Sequence, residues 1–376
     1  MSEGGVGRRR AATRVTAAAL AVLVAAAGAV LGTPGTAIAD PVDAQWQLAA
    51  LQAETAWAES VGAGVIVAVV DSGVDASHPD LVGQVLPGVD LVDGSTDGRT
   101  DPVGHGTSVA ALIAGRADGR GVVGLAPDAK ILPVRVLDSD NRYDDALVVA
   151  RGVLWAVDHG AKVINLSLGG ANYSPALADA LDYAFARDVV VVACTGNVLP
   201  GGPAEVWYPA REPGVVAVAG LAHTPNDDLL WSNSITGRQT VLAAPGADLR
   251  SARPAGGHWR VQGTSFAAPL VSATAALVRS KWPGMSAANV VQRLTRTARD
   301  LGPVGRDDRY GFGAVDPVSA LRTTVAEVRM NPLDTGAPPP GVAHFGAAHQ
   351  PQVRTATIPT KPPAHERIDR GRTLVQ

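Results

Sequence analysis

Residues 65–70 read Val-Ile-Val-Ala-Val-Val, a run with no polar position in it. A strand with one wet face alternates apolar and polar residues, so this run fits a strand buried on both faces. Mostly apolar runs follow at 131–136, 163–168 and 189–193, with shorter ones at 215–219 and 241–243. Segments of helical composition or periodicity lie among them or after them, at 108–114, 144–159, 174–187 and 270–278. This alternation predicts an α/β fold with three layers, a mostly parallel central sheet with helices on both faces. Trp46, Leu48, Leu51, Ala53 and Trp57 predict short helices packed onto that body. Residues 310–315 and a last helix near 317–328 should close it.

The ends of the chain read differently. Arg8, Arg9, Arg10 and Arg14 precede an uncharged apolar stretch at 17–32, and Ala37-Ile38-Ala39 is a small-residue cleavage site. Residues 1–39 therefore read as a secretory signal peptide and 40–328 as the folded domain. The product is expected to be secreted, extracellular or associated with the cell envelope. Residues 329–376, with Pro338-Pro339-Pro340 and Pro362-Pro363, read as a Pro-rich disordered tail. No apolar run in it is long enough for a membrane span after signal cleavage. Only residues 40–43 separate the cleavage site from the fold entry, so folding without a large cleaved prodomain is expected. The single cysteine, Cys194, rules out an intrachain disulfide framework. A net charge of −3, with no basic patch interleaved with aromatics, argues against a nucleic-acid partner.

Three polar motifs interrupt the apolar pattern. Asp71-Ser72-Gly73 follows the 65–70 strand, at the end where open parallel sheets place their sites. Gly104-His105-Gly106-Thr107 opens a helix. Gly263-Thr264-Ser265-Phe266-Ala267-Ala268-Pro269 sets a hydroxyl between a glycine turn and an apolar helix. Free N–H groups and the positive dipole end at such a helix start favour a developing negative charge. Pro269 is expected to be tolerated because early turns lack N–H partners. Taken singly, the three motifs also fit a turn, a solvent-facing cap and a plain helix start.

Together they occur in the order Asp, His, Ser. That order, and the contexts Val67-Ala68-Val69-Val70-Asp71-Ser72-Gly73-Val74, Gly104-His105-Gly106-Thr107 and Gly263 to Pro269, resemble the subtilase family over about residues 44–325. The resemblance implies a serine endopeptidase acting on protein or peptide substrates. Ser265 Oγ would attack the scissile carbonyl, His105 would carry the proton, and Asp71 would orient the imidazole. Asn197, after Thr195-Gly196, matches the family's oxyanion-hole asparagine, acting with the Ser265 N–H; alone it also fits a turn residue. Ser167-Leu168-Gly169 and Ala193-Cys194-Thr195-Gly196 look like the walls of the family's S1 pocket. Extended substrate would pair as an added strand near these walls and near residues 138–143. Cys194 reads as small-residue packing.

Two departures narrow the resemblance. Ser108 stands where many subtilases carry a second histidine, and Phe266 where many carry methionine. The Phe266 form and the entry Gln45-Trp46-x-Leu48…Ala56-Trp57 look like mycosins, subtilases associated with type VII secretion. That implies type VII components as possible partners and a narrow processing role. Mycosins usually add a C-terminal membrane helix and disulfides, which this sequence lacks. No cofactor is implied. The loop at 116–123, where the family's calcium site would fall, offers only Asp118 as an anionic ligand, so no metal is expected there. A structural subunit with a dispensable triad, a broad degradative subtilase and a peptide-binding module stay open as alternatives.

Overall fold

The computed structural model describes residues 45–334, apart from 144, 203, 225 and 226, together with residues 373 and 374. The expected signal at 1–39 and most of the expected tail lie outside the described residues. The chain enters through α1 (Trp46–Ala50) and α2 (Ala53–Trp57). Side chains stitch this entry to the body. Gln45 bonds both backbone groups of Val123, at 2.9 and 2.8 Å, and the Trp57 indole donates to the Leu125 carbonyl at 2.9 Å.

The first all-apolar run becomes β1 (Ile66–Asp71), buried from Val67 onward. The chain then forms β2 (Val89–Asp90), α3 (His105–Ala114), β3 (Lys130–Arg135), β4 (Arg142–Tyr143) and α4 (Ala146–Asp158). It continues through β5 (Val163–Leu166), α5 (Pro175–Ala186), β6 (Val190–Cys194), β7 (Val216–Thr224), β8 (Asp227–Leu230) and β9 (Leu242–Pro245). Sheet order is β2-β3-β1-β5-β6-β7-β8, with β9 also on β7. All of these pairs are parallel except β7 with β8. From β1 the sheet grows to β3 on one side and to β5 on the other, so the winding reverses at β1. The crevice outside the carboxyl end of such a strand is where open α/β sheets bind ligands, and β1 ends in Asp71.

Local chemistry explains the helix starts. Asp145 caps α4 by accepting from the Leu147 N–H, and Ser174 caps α5 with Pro175 in its first turn. The axis of the body is α6 (Thr264–Lys281), whose residues 264–279 are all buried. It packs against α3, β5, β6, β7 and β9. Pro269 lies in the second turn of α6, deeper than expected, where a missing N–H strands the carbonyl four residues back. That carbonyl belongs to Ser265, and the Ser167 hydroxyl donates to it at 2.6 Å. Asn165 in turn donates to Ser167 at 2.8 Å and accepts from Ser272 at 2.9 Å, so β5 clasps α6 through polar side chains.

Several elements depart from the sequence reading. A hairpin, β10 (Leu249–Arg253) and β11 (Gly257–Val261), precedes α6, and α7 (Ala287–Arg296) follows it. Both were unread. The last helix, α8 (Pro317–Arg322), stops short of 328, where the β-branched Thr323, Thr324 and Val325 follow. The body runs on past 328: the Asn331 amide and the Leu333 carbonyl bond the two backbone groups of Gly214. Residues 331–333, placed in the expected tail, are thus held on the body. A further strand, β12 (Thr373–Leu374), pairs with β4.

Candidate active site

Asp71, His105 and Ser265 converge at the carboxyl end of β1. Each is at most 6% exposed. Asp71 Oδ1 accepts the Ser72 N–H at 2.7 Å and meets His105 Nδ1 at 2.7 Å. A carboxylate only accepts, so Nδ1 carries the proton and Nε2 offers its lone pair. The start of α3 can come this close because residue 106 is glycine. A Cβ there would lie 2.1 Å from the Gly73 carbonyl and 3.1 Å from Asp71 Cβ.

Asp101, unread in the sequence, organises this half of the site. Its Oδ1 accepts from Ser72 Oγ and from the Val103 and Gly104 N–H groups at 2.8–3.0 Å. Its Oδ2 accepts from the Thr107 N–H and hydroxyl at 2.8 and 2.6 Å. Ser72 Oγ then accepts the Gly106 N–H at 3.0 Å. Burial disfavours a charged imidazole at His105, yet the Asp71 carboxylate, its hydrogen bond and Asp101 outweigh that and raise the His105 pKa above its ordinary 6.5.

The hydroxyl half is arranged otherwise. Ser265 is the second residue of α6, as the sequence suggests, and its Oγ donates to Cys194 Sγ at 3.8 Å. His105 Nε2 is buried and makes no hydrogen bond. The two halves meet through Phe266, whose ring centroid is 5.2 Å from that of His105. A rotation of Ser265 about χ1 between staggered wells is the smallest change that could re-aim its hydroxyl.

Asn197 Oδ1 accepts the N–H and the hydroxyl of Thr264, both at 3.0 Å. This fixes the amide orientation and turns Nδ2 the other way. Gly196 supports it at φ +107°, where any Cβ would strike the Trp207 indole at 2.4 Å.

The expected pocket walls have their side chains turned into the body. Ser167, Leu168, Ala193, Cys194 and Thr195 are all fully buried. The Ser167 hydroxyl is spent on α6, and Thr195 Oγ1 donates to the Val218 carbonyl at 3.2 Å. Gly169 lies under Trp207 and Tyr208. Burial pushes the Cys194 thiol up to about 11.

A cleft of about 300 Å³ adjoins His105, lined by Val103, Asn141, Trp259, Gln262 and Phe266 among others. Its Trp259 side comes from the unread hairpin. Ser108 explains how that hairpin is held. Its hydroxyl donates to the Ala252 carbonyl and accepts the Trp259 indole N–H, each at 2.7 Å. A smaller cavity of about 40 Å³ lies beside α1 and residues 314–317, lined by Arg299 and Asp316 among mostly apolar residues.

Among the described residues, one side-chain group has metal-ligand types in reach of one another: His78, Asp80 and His258. Its donor atoms are engaged within the protein. Asp80 Oδ2 meets His258 Nε2 and the Val122 N–H at 2.8 Å, and His78 Nδ1 accepts the Asp80 N–H at 3.1 Å.

Residues 62–313 match the model of the Subtilase family. The chain is 39% identical to subtilisin DY of Bacillus licheniformis over 262 residues, 69% of this chain and 92% of that protein. It is 37% identical to fervidolysin of Fervidobacterium pennivorans over 293 residues, 71% of this chain but only 42% of the length of that relative. Among solved structures it resembles MycP1 with its N-terminal propeptide removed, at a TM-score of 0.66 and 32% identity, covering 77% of this chain and 99% of the other.

Proposed function

This chain belongs to the subtilase family of serine endopeptidases, and from that premise we propose that it hydrolyses peptide bonds through Asp71, His105 and Ser265. The observation that carries the proposal is the 2.7 Å bond between Asp71 and His105 Nδ1, which leaves a lone pair on Nε2 of a ring 5.2 Å from that of Phe266, at the start of α6. After rotation about χ1, Ser265 Oγ gives its proton to Nε2 and attacks the carbonyl carbon. His105 becomes an imidazolium, stabilised by Asp71, and then protonates the leaving amine. An acyl-enzyme remains, and water repeats the sequence to release the acid.

The negative oxygen of each tetrahedral intermediate is held by Asn197 Nδ2 and the Ser265 N–H. Two features support this. The carbonyl end of Asn197 is fixed on Thr264, and the Ser265 N–H belongs to a helix start, where N–H groups lack intrahelical acceptors. Extended substrate lies along the backbone of 167–169 and 193–196 and pairs with β4.

In the cell, we read the protein as exported through residues 1–39 and working as a narrow processing protease beside a type VII secretion system. Its likeness to MycP1 and to the MycP3 protease of the type VII (ESX-3) secretion system supports that role. Among the described residues no helix is long and apolar enough to cross a membrane. Hydrolysis of internally quenched peptides tests the chemistry. Wild type should cleave, and Ser265→Ala, folded to the same melting temperature, should not. Cleavage that survives in Ser265→Ala would remove Ser265 from the reaction.

A further inference from the structure

Thr373 and Leu374 pair antiparallel with Tyr143 and Arg142, and among the described residues β4 has no other strand partner. Arg142 turns both backbone groups inward. Its N–H donates to Asp138 Oδ1 at 3.0 Å and its carbonyl accepts from the Asp138 N–H at 2.8 Å. Backbone groups in an antiparallel pair alternate in direction, so Tyr143 presents its N–H and carbonyl to an added strand. Beyond Arg142 comes Asn141, which lines the cleft beside His105 and Phe266.

Direction follows from this register. A chain running forward from Thr373 to Leu374 passes from Tyr143 to Arg142, towards Asn141 and the cleft. The acyl half of a peptide substrate must run the same way, its residues leading N-to-C into the nucleophile. We propose that the tail strand Thr373-Leu374 docks in cis on β4 and competes with substrate for this edge. The inference rests on reading the cleft as the substrate groove.

Recognition is by main-chain β-addition, which tolerates many sequences. Two paired residues make a weak site, but tethering supplies an effective concentration of up to about millimolar. Partial rather than complete occupancy follows, so removing the segment should lower KM by about 2- to 10-fold and leave kcat unchanged.

The test compares the full chain with Thr373→Pro, which lacks the paired N–H, and with a chain ending at Arg370. Amide exchange is read at Tyr143 in the Ser265→Ala background, and KM is read in the active proteins. Faster exchange at Tyr143 in both altered chains, with a lower KM and competitive inhibition when the peptide 367–376 is added back, is the expected result. Equal exchange at Tyr143 in all three would overturn docking. Protection without any KM difference would overturn competition. If no form hydrolyses peptides while Tyr143 still loses protection, the protease reading fails and the docking stands.

Discussion

On the Asp71–His105 side, five N–H or O–H groups converge on Asp101 and the imidazole is tied to Asp71 at 2.7 Å. On the Ser265 side, the hydroxyl donates to a sulfur 3.8 Å away. The difference suits the roles proposed for the two sides. An imidazole that will carry charge in a buried site needs its tautomer, orientation and countercharge set in advance, since dipoles already in place cost no reorganisation during the reaction. A serine has one side-chain torsion and moves between wells at small cost. Constraint at Ser265 falls on the backbone instead, where Pro269 frees its carbonyl and Ser167 holds it.

The largest effect is expected at Asp71. Asp71→Asn keeps the shape but loses the acceptor that fixes the proton on Nδ1, and kcat should fall by about 10⁴-fold, the loss seen for that change in serine proteases. A loss below tenfold would show that the tautomer is set elsewhere. Asn197→Ala tests the other half. It should cost about 10²–10³ in kcat with KM nearly unchanged, a magnitude taken from the corresponding asparagine of subtilisin.

Asp101→Asn sharpens the comparison, because Asp101 acts through other groups. It cannot accept all five hydrogens, so kcat should fall by roughly 10- to 100-fold, and the buried donors left unpaired should lower the melting temperature. It also has a pH signature. His105 must be neutral to act as base, and its pKa is raised, in part by Asp101. The acid limb of kcat/KM should therefore lie above 6.5 in wild type and move to lower pH in the variant. An unmoved limb would mean that Asp101 is merely structural. The same shift links to stability. The charged His105 stabilises the fold fully below the unfolded pKa near 6.5, and that contribution is lost as pH rises through the folded value.

The smallest effect is expected at Cys194. A bond from a hydroxyl to sulfur at 3.8 Å is weak, so Cys194→Ala should change kcat by less than about threefold. With its thiol buried and pushed up to about 11, Cys194 should resist iodoacetamide in the folded protein at pH 8. Rapid native alkylation with loss of activity would show that the sulfur faces an open pocket.

What the sequence conveyed follows the same divide. Runs such as 65–70 and 189–193 announce buried parallel strands because no polar residue interrupts them. The three motif residues are legible because glycines and helix starts flank them. Asp101 is illegible because it sits in an Asp- and Gly-rich loop that reads as solvated, and only the fold turns it inward. The Ser167 hydroxyl reads as pocket wall because nothing local shows that Pro269, about a hundred residues away, needs a donor. The β10–β11 hairpin did leave a trace: exposed His258 and Arg260 alternate with Trp259 and Val261, after a turn at Ala255-Gly256 with φ of +65° and +82°. Tail docking on β4 has no local signature, because main-chain pairing asks little of side chains.

The proposed mechanism turns on Ser265 as a nucleophile activated by the Asp71–His105 pair. Fluorophosphonate labelling of the purified protein, followed by peptide mapping, tests it directly. One adduct is expected, on Ser265, formed quickly in wild type and very slowly in Asp71→Asn. An adduct on another residue, or equal rates in the two proteins, would contradict it.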